Sequence, residues 1–147
     1  MARMRGLLSI CCVCIVMQGC ASGPSYRQIA EEIPTLADGQ GRIFFLQSAG
    51  YSDSGGGHEV KLNGFYVGKS VPGGFFYVDR NAGKYAVHCA SGTLRFTLEA
   101  GETKYIELVP TVYADNPSGV RIVPIDSREG ETMVKKLSYS GGAYRAG

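Results

Sequence analysis

The chain has no tryptophan, only two histidines and, beyond residue 20, a single cysteine among its 147 residues. Each scarcity removes a class of chemistry. Without tryptophan, the aromatic that stacks best on sugar rings is missing. The two histidines, His58 and His88, together with Asp53 and Asp79, show none of the close ligand spacings of zinc or calcium loops. The sequence therefore predicts no metal and no cofactor. Of five cysteines, Cys11, Cys12, Cys14 and Cys20 lie in the first twenty residues, and Cys89 alone lies beyond them. Once a leader is removed and Cys20 is modified, no internal disulfide can form, and Cys89 reads as a small buried apolar residue. Long apolar runs are lacking too. The longest, Leu7 to Met17, has 11 residues, whereas a membrane-spanning helix needs about 20.

A basic surplus is also missing. The formal charge of the whole chain is +2, but Arg3 and Arg5 fall in the leader, which leaves 15 − 2 = 13 basic residues against 13 acidic ones. Net neutrality gives no electrostatic case for nucleic acid, whose binding rests on neutralising phosphates, and none for acidic lipid. Without residues 1–19, the remaining 128 residues suit one domain with one core.

What the first twenty residues do contain is an export signal: a positive start at Arg3 and Arg5, the apolar run, and the small-residue site Gln18-Gly19-Cys20-Ala21. The site resembles a bacterial lipobox. Gly19 fits that pattern, while Met17 and Gln18 stand where it favours leucine and a small residue. The resemblance implies a diacylglyceryl group, carrying palmitate-like chains, on the sulfur of Cys20, and cleavage after residue 19 so that Cys20 becomes the first residue. Ordinary signal-peptidase cleavage is the alternative. Two or three acyl chains would anchor the protein firmly, since each buried methylene contributes about 0.8 kcal/mol. Ala21 occupies the place where an aspartate would imply inner-membrane retention, so the implied location is the outer membrane, facing the periplasm.

Residues 20–41 read as a lipid-anchored tether with one short helix. Ser25 and Gln28 have capping-box spacing, Ile29 and Ile33 share a helical face, and Pro34 stops the run. The segment serves either as a spacer that holds the domain off the membrane or as an arm packed back through Ile29, Ile33 and Leu36. From Arg42 the period becomes two. Strands are expected over 42–47, 59–62, 65–70, 75–80, 84–89, 93–98, 103–109 and 120–125. Asn63-Gly64 supplies the positive φ angles of a type I′ hairpin. In 93–98 Leu94, Phe96 and Leu98 should face the core, and Thr93, Arg95 and Thr97 water. One-sided strands with tight turns and no long helix between them predict a mainly β domain over 42–125, an antiparallel β-sandwich of immunoglobulin-like or transthyretin-like type. Residues 126–147 follow as a short C-terminal helix and tail, started at Asp126, carrying Met133, Val134 and Leu137 on one side and ended by Gly141-Gly142.

Catalytic constellations are sparse. His88 and Cys89 are neighbours on one strand, so their side chains point to opposite faces and cannot form a nucleophile pair. Ser48, Ser52, Ser54, Ser70, Ser91 and Ser118 lie in no nucleophile elbow. Glu99 and Glu102 flank a turn whose tip, read as a hairpin, meets water rather than the dry cleft that acid–base pairs need. The tract from Ser52 to Gly57 lacks the Lys-Ser/Thr pair and following helix of a phosphate-binding loop. Tyr66, Tyr77 and Tyr105 alternate with apolar neighbours, which makes them the candidate binding surface, with ordinary cross-strand pairing as the plainer account.

The chain resembles a family of small bacterial lipoproteins carrying a β-sandwich domain of unknown function. The resemblance covers about Cys20 to Val109 and rests on Ile33-Pro34, Gly41-Arg42-Ile43-Phe44-Phe45, Val60-Lys61-Leu62-Asn63-Gly64, Val67-Gly68, Phe76-Tyr77-Val78-Asp79, Gly83-Lys84-Tyr85 and Ala100-Gly101-Glu102-Thr103. It implies a sandwich on a lipid anchor and brings no catalytic residue with it. This chain departs by placing Leu46-Gln47 where an aromatic residue and an arginine often end the first strand. The expected function is that of a membrane-anchored envelope lipoprotein acting as a non-enzymatic binding or structural module for an envelope protein or polymer. The alternatives are a hydrolase of envelope material working around His58, Glu99 or Asp115, and an accessory subunit of an envelope complex joined through free sheet edges.

Overall fold

A computed structural model describes residues 23–50, 57–113 and 116–141. The signal segment, Cys20, the centre of the glycine tract, Asp115 and the last residues lie outside them. In chain order the elements are α1 (Tyr26–Ile29), β1 (Gln40–Leu46), β2 (His58–Leu62), β3 (Phe65–Ser70), β4 (Gly74–Asn81), β5 (Gly83–Cys89), β6 (Gly92–Leu98), β7 (Thr103–Tyr113), β8 (Asn116–Ile125), α2 (Ser127–Val134) and β9 (Ser138–Tyr139). They form two sheets, one ordered β8-β7-β1-β4-β9 and the other β3-β2-β5-β6. The sheets face each other over a core built from Ile43, Phe45, Val60, Val67, Phe76, Val87 and Leu108 among others, so the fold is the expected β-sandwich.

Alternation decides the four-stranded sheet. In β6 Leu94, Phe96 and Leu98 turn inward while Thr93, Arg95 and Thr97 are exposed. The five-stranded sheet follows a different rule. In β1 the run Ile43-Phe44-Phe45-Leu46 is buried without alternation, the mark of a strand covered on both faces. Ile43 and Phe45 enter the main core, whereas Phe44 and Leu46 join Ile29, Phe75, Tyr105, Val134 and Leu137 in a second core on the outer face of that sheet. Both helices lie there. Covered on both faces, this sheet departs from a purely antiparallel plan: β1 pairs parallel with β7, and β4 pairs parallel with β9.

One turn and one bulge follow from local chemistry. Asn63 and Gly64 take φ values of 50° and 86°, the pair of positive angles that a type I′ turn requires. Opposite Val60, strand β3 contains a bulge that turns both Val67 and Gly68 toward the core. A Cβ on Gly68 would stand 2.6 Å from the Phe76 ring, which explains why glycine occupies the site.

The N-terminal arm packs on the domain. Gln28 Oε1 accepts from the Ser25 amide at 2.7 Å and from its hydroxyl at 3.0 Å, which starts α1. Ile29 is buried, and Tyr26 and Ile33 rest on the second core. Ser25 bridges to Ser138, and the Tyr139 amide donates to the Pro24 carbonyl at 2.7 Å. The described part of the expected tether is therefore an arm closed over the sheet, because Ile29 and Ile33 would otherwise lie in water. At the other end, Asp126 Oδ1 accepts from the Glu129 amide at 2.9 Å and caps α2. The helix stops at Val134, well before Gly141, because the chain turns there to lay β9 beside β4, with the Ser138 amide donating to the Gly73 carbonyl at 3.0 Å.

Candidate functional site at the open end of the sandwich

Strands β4 and β5 are joined at Asn81–Gly83, and the β2–β3 turn at Asn63-Gly64 lies toward that same end. The bulge in β3 and the early end of β2 leave the two sheets imperfectly closed there. A cleft of about 490 Å³ opens between them, lined by Leu62, Phe65, Val67, Arg80 and Tyr85, with Asn63 and Tyr66 at its rim. Position parity accounts for this lining. Leu62 pairs with Phe65 on the inward face, Tyr85 is on the side of Val87, and Arg80 continues the inward series of Phe76 and Val78. Phe65 is 77% exposed, and Tyr66 beside it is 42% exposed. These two are the exposed large hydrophobic residues among those described.

The cleft is apolar with fixed polar groups at its walls. Arg80 Nη1 donates to the Asp79 carbonyl at 2.7 Å, and the Tyr85 hydroxyl donates to the Asn81 carbonyl at 2.6 Å. Asn63 Oδ1 accepts from the Ala86 amide at 2.8 Å, which holds the turn against β5. Aromatic residues and arginine are the residue types that anchor protein–protein contacts.

The tyrosine surface expected from sequence is not one surface. Tyr66 lies on the four-stranded sheet, whereas Tyr77 and Tyr105 lie on the five-stranded one. Tyr105 is buried in the second core, stacked on Phe44 with ring centroids 5.1 Å apart and planes 8° from parallel. Burial, with the nearby negative charge of Glu131, pushes its phenol up to about 12. Tyr77 is half-buried, 5.7 Å from Phe44 and 6.1 Å from Tyr139, with the Arg42 guanidinium 5.0 Å above its ring. The alternation that suggested exposure failed because the helices cover the outer face of this sheet. Only Tyr66 remains available to a partner.

Other sequence candidates are scattered. Cys89 is a buried thiol and His88 is exposed on the opposite face, as their adjacency on a strand requires. Glu99 and Glu102 do not sit on a hairpin tip. They occupy the corner where β6 of one sheet passes to β7 of the other. Burial pushes the Glu102 carboxyl up, but Lys104 Nζ at 2.7 Å and the Glu99 amide at 2.8 Å outweigh it and hold the group below the ordinary carboxylate range. Among the described residues no group of three or more His, Cys, Asp or Glu gathers as a metal site would need. Among the described residues no helix is long and apolar enough to cross a membrane.

Gln47, where the resembling family often has arginine, is buried, and its Oε1 accepts from the Ser70 hydroxyl. Sequence reasoning missed Phe65, Arg80 and Tyr85. Phe65 was signalled by its place directly after Asn63-Gly64, where a hairpin end projects. Arg80 and Tyr85 carried no signal, because their meeting depends on how the two sheets stack.

No protein-family model matches the chain, and no curated protein is significantly similar to it. Among solved structures, the N-terminal domain of AlgF from P. aeruginosa is similar over 63% of this chain and 100% of that one, with 18% identity and a TM-score of 0.42. A likeness of that size transfers neither a detailed fold nor a function.

Proposed function

We propose that the chain is a lipid-anchored lipoprotein of the bacterial envelope whose sandwich is a non-enzymatic binding module, with the Phe65–Tyr66 tip as its contact for a protein partner. The observation that carries this reading is the pair of exposed aromatic side chains beside an apolar cleft. Exposed apolar groups rimmed by polar residues mark contact sites. The signal segment ending at Cys20 supports the anchor.

The arm gives the two features a common geometry. Gly23 lies against Tyr139 beside the Gly74 end of β4, and the Asn63-Gly64 turn lies toward the Asn81 end. Cys20 precedes Gly23 by three residues, about 10 Å of extended chain. An acylated Cys20 would thus hold the Gly74 end close to the bilayer. The tip would point away from it, about 25 Å further out along the eight residues of β4.

The test has two readouts on the protein in its native host. Intact mass of the membrane-bound form should show a chain beginning at Cys20 with two or three acyl chains. An unmodified, soluble chain rejects the anchor. A photoreactive residue in place of Phe65 should crosslink to a discrete protein, while the same residue in place of Arg128, exposed on α2 at the far side of the second core, should not. Equal labelling from both positions, or none from position 65, rejects the tip as the contact.

A further inference from the structure

The neutral charge count hides a segregation that the fold creates. On the four-stranded sheet the outward positions of β2, β3 and β5 carry Lys61, Lys69 and Lys84, and that of β6 carries Arg95. All four are exposed, and Glu59, opposite Lys69, is the one carboxylate among these outward positions. The registers fix their spacing. Ala86 is opposite Arg95 and Lys84 opposite Thr97, so Lys84 and Arg95 stand on a diagonal, about 7–8 Å apart at the backbone. Lys61 pairs with His88 one strand further over, two strand spacings or about 10 Å from β6.

Between the cations the face offers hydrogen-bonding groups. Thr93 and Thr97 are exposed, and His88 Nδ1 lies 3.1 Å from Thr93 Oγ1. Two shallow depressions lie along the face, one walled by Lys84, Arg95 and Thr97, the other by Lys61 and His88 with Glu59 beside them.

We infer that this face binds an anionic polysaccharide, one that bears carboxylate or phosphate groups along a hydroxyl-rich chain. Charge complementarity gives the sign of the ligand, and the spread of cations over four strands calls for an extended polyanion rather than one small anion. The threonines and His88 between them match sugar hydroxyls. A lipid surface fits less well, because a face that seats on a bilayer couples its cations to inserting apolar side chains, whereas the apolar side chains here are Ala86 in the middle and Tyr66 at the margin. Recognition would rest on charge and hydrogen bonds rather than on ring stacking, in keeping with the absence of tryptophan. The inference is independent of the proposed protein contact in its charged residues, although the face adjoins that contact at Tyr66 and Asn63.

The test titrates the full chain with polygalacturonate, with neutral dextran, and with vesicles of phosphatidylglycerol. Binding to polygalacturonate is expected, weakening with added salt, with no binding to dextran. The Lys61→Gln, Lys84→Gln, Arg95→Gln variant should bind at least about tenfold more weakly at low salt, since three neutralised contacts are lost. Its unfolding midpoint should remain near wild type, since all three side chains are exposed. A control variant, Lys135→Gln with Lys136→Gln after α2, should bind as wild type does. No binding to polygalacturonate, equal binding to dextran, stronger binding to the vesicles, or equal loss in the control variant would each overturn the inference.

Discussion

Arg42 on β1 and Asp79 on β4 are direct cross-strand partners, joined twice, Nε to Oδ1 and Nη2 to Oδ2, both at 2.7 Å. The same Nη2 donates to the Pro34 carbonyl at 2.6 Å, and the guanidinium lies over Tyr77. One side chain therefore ties the arm to the sheet. The Asp79 hydrogen bonds raise the Arg42 pKa against the opposing effect of burial, so the cation is permanent.

Replacing Arg42 by lysine keeps the charge but not the fork, and lysine cannot serve Asp79 twice and Pro34 at once. The expected loss is about 1–3 kcal/mol, as for charge-assisted hydrogen bonds in partly buried sites. Urea unfolding would show it as a lower midpoint at unchanged slope. A midpoint equal to that of wild type would mean that the pair is dispensable to the fold.

Gly130 in α2 sets two effects against each other. Alanine there gains about 1 kcal/mol of helix propensity. Its Cβ, however, would overlap the Tyr105 ring, and overpacking costs about 1–3 kcal/mol. We expect Gly130→Ala to be net destabilising, with a fall in thermal midpoint. A rise would show that α2 can slide off β7 without loss.

Gly130 also illustrates what the sequence could and could not disclose. A glycine inside a helix is in itself a local weakness, but the reason for Gly130 is not local, because its contact with Tyr105 joins residues from separate elements, whereas the cap at Asp126 is legible from the sequence alone. Strand positions, the Asn63-Gly64 turn and the inward set Leu94, Phe96 and Leu98 follow from local periodicity and backbone preference. The parallel pairing of β1 with β7 does not, since it depends on a second core that only the packed helices create. The same covering hid Tyr77 and Tyr105, and net charge concealed the cationic face because the count ignores which face each residue occupies.

Tyr105 supplies a pH dependence of known sign. Its folded-state phenol is raised from 10.0 to about 12, chiefly by burial. A raised value means that the neutral form is favoured in the fold, so the contribution is complete below pH 10 and is lost as pH rises from there through 12. Two units correspond to about 2–3 kcal/mol. Tyr105→Phe keeps the stack on Phe44 and removes the titration, so its stability should fall less between pH 10 and 12 than that of wild type. Parallel curves for the two proteins would reject burial of the phenol as the cause.

Whether the arm is part of the fold has a direct test at Ile29, which is 9% exposed in the second core beside Val134 and Leu137. Ile29→Ser removes most of a buried aliphatic side chain, which costs about 1–3 kcal/mol if the arm is closed. It costs nothing if the arm swings free. Hydrogen exchange separates local from global effects, because the Ile33 amide donates to the Ile29 carbonyl at 3.1 Å and the Tyr139 amide to the Pro24 carbonyl at 2.7 Å. In Ile29→Ser both amides should lose protection before the amides of β1 do. A variant with wild-type midpoint and wild-type protection at Ile33 and Tyr139 would restore the spacer reading. The distance between a Cys20 anchor and the sandwich would then be set by the whole length of the arm rather than by three residues.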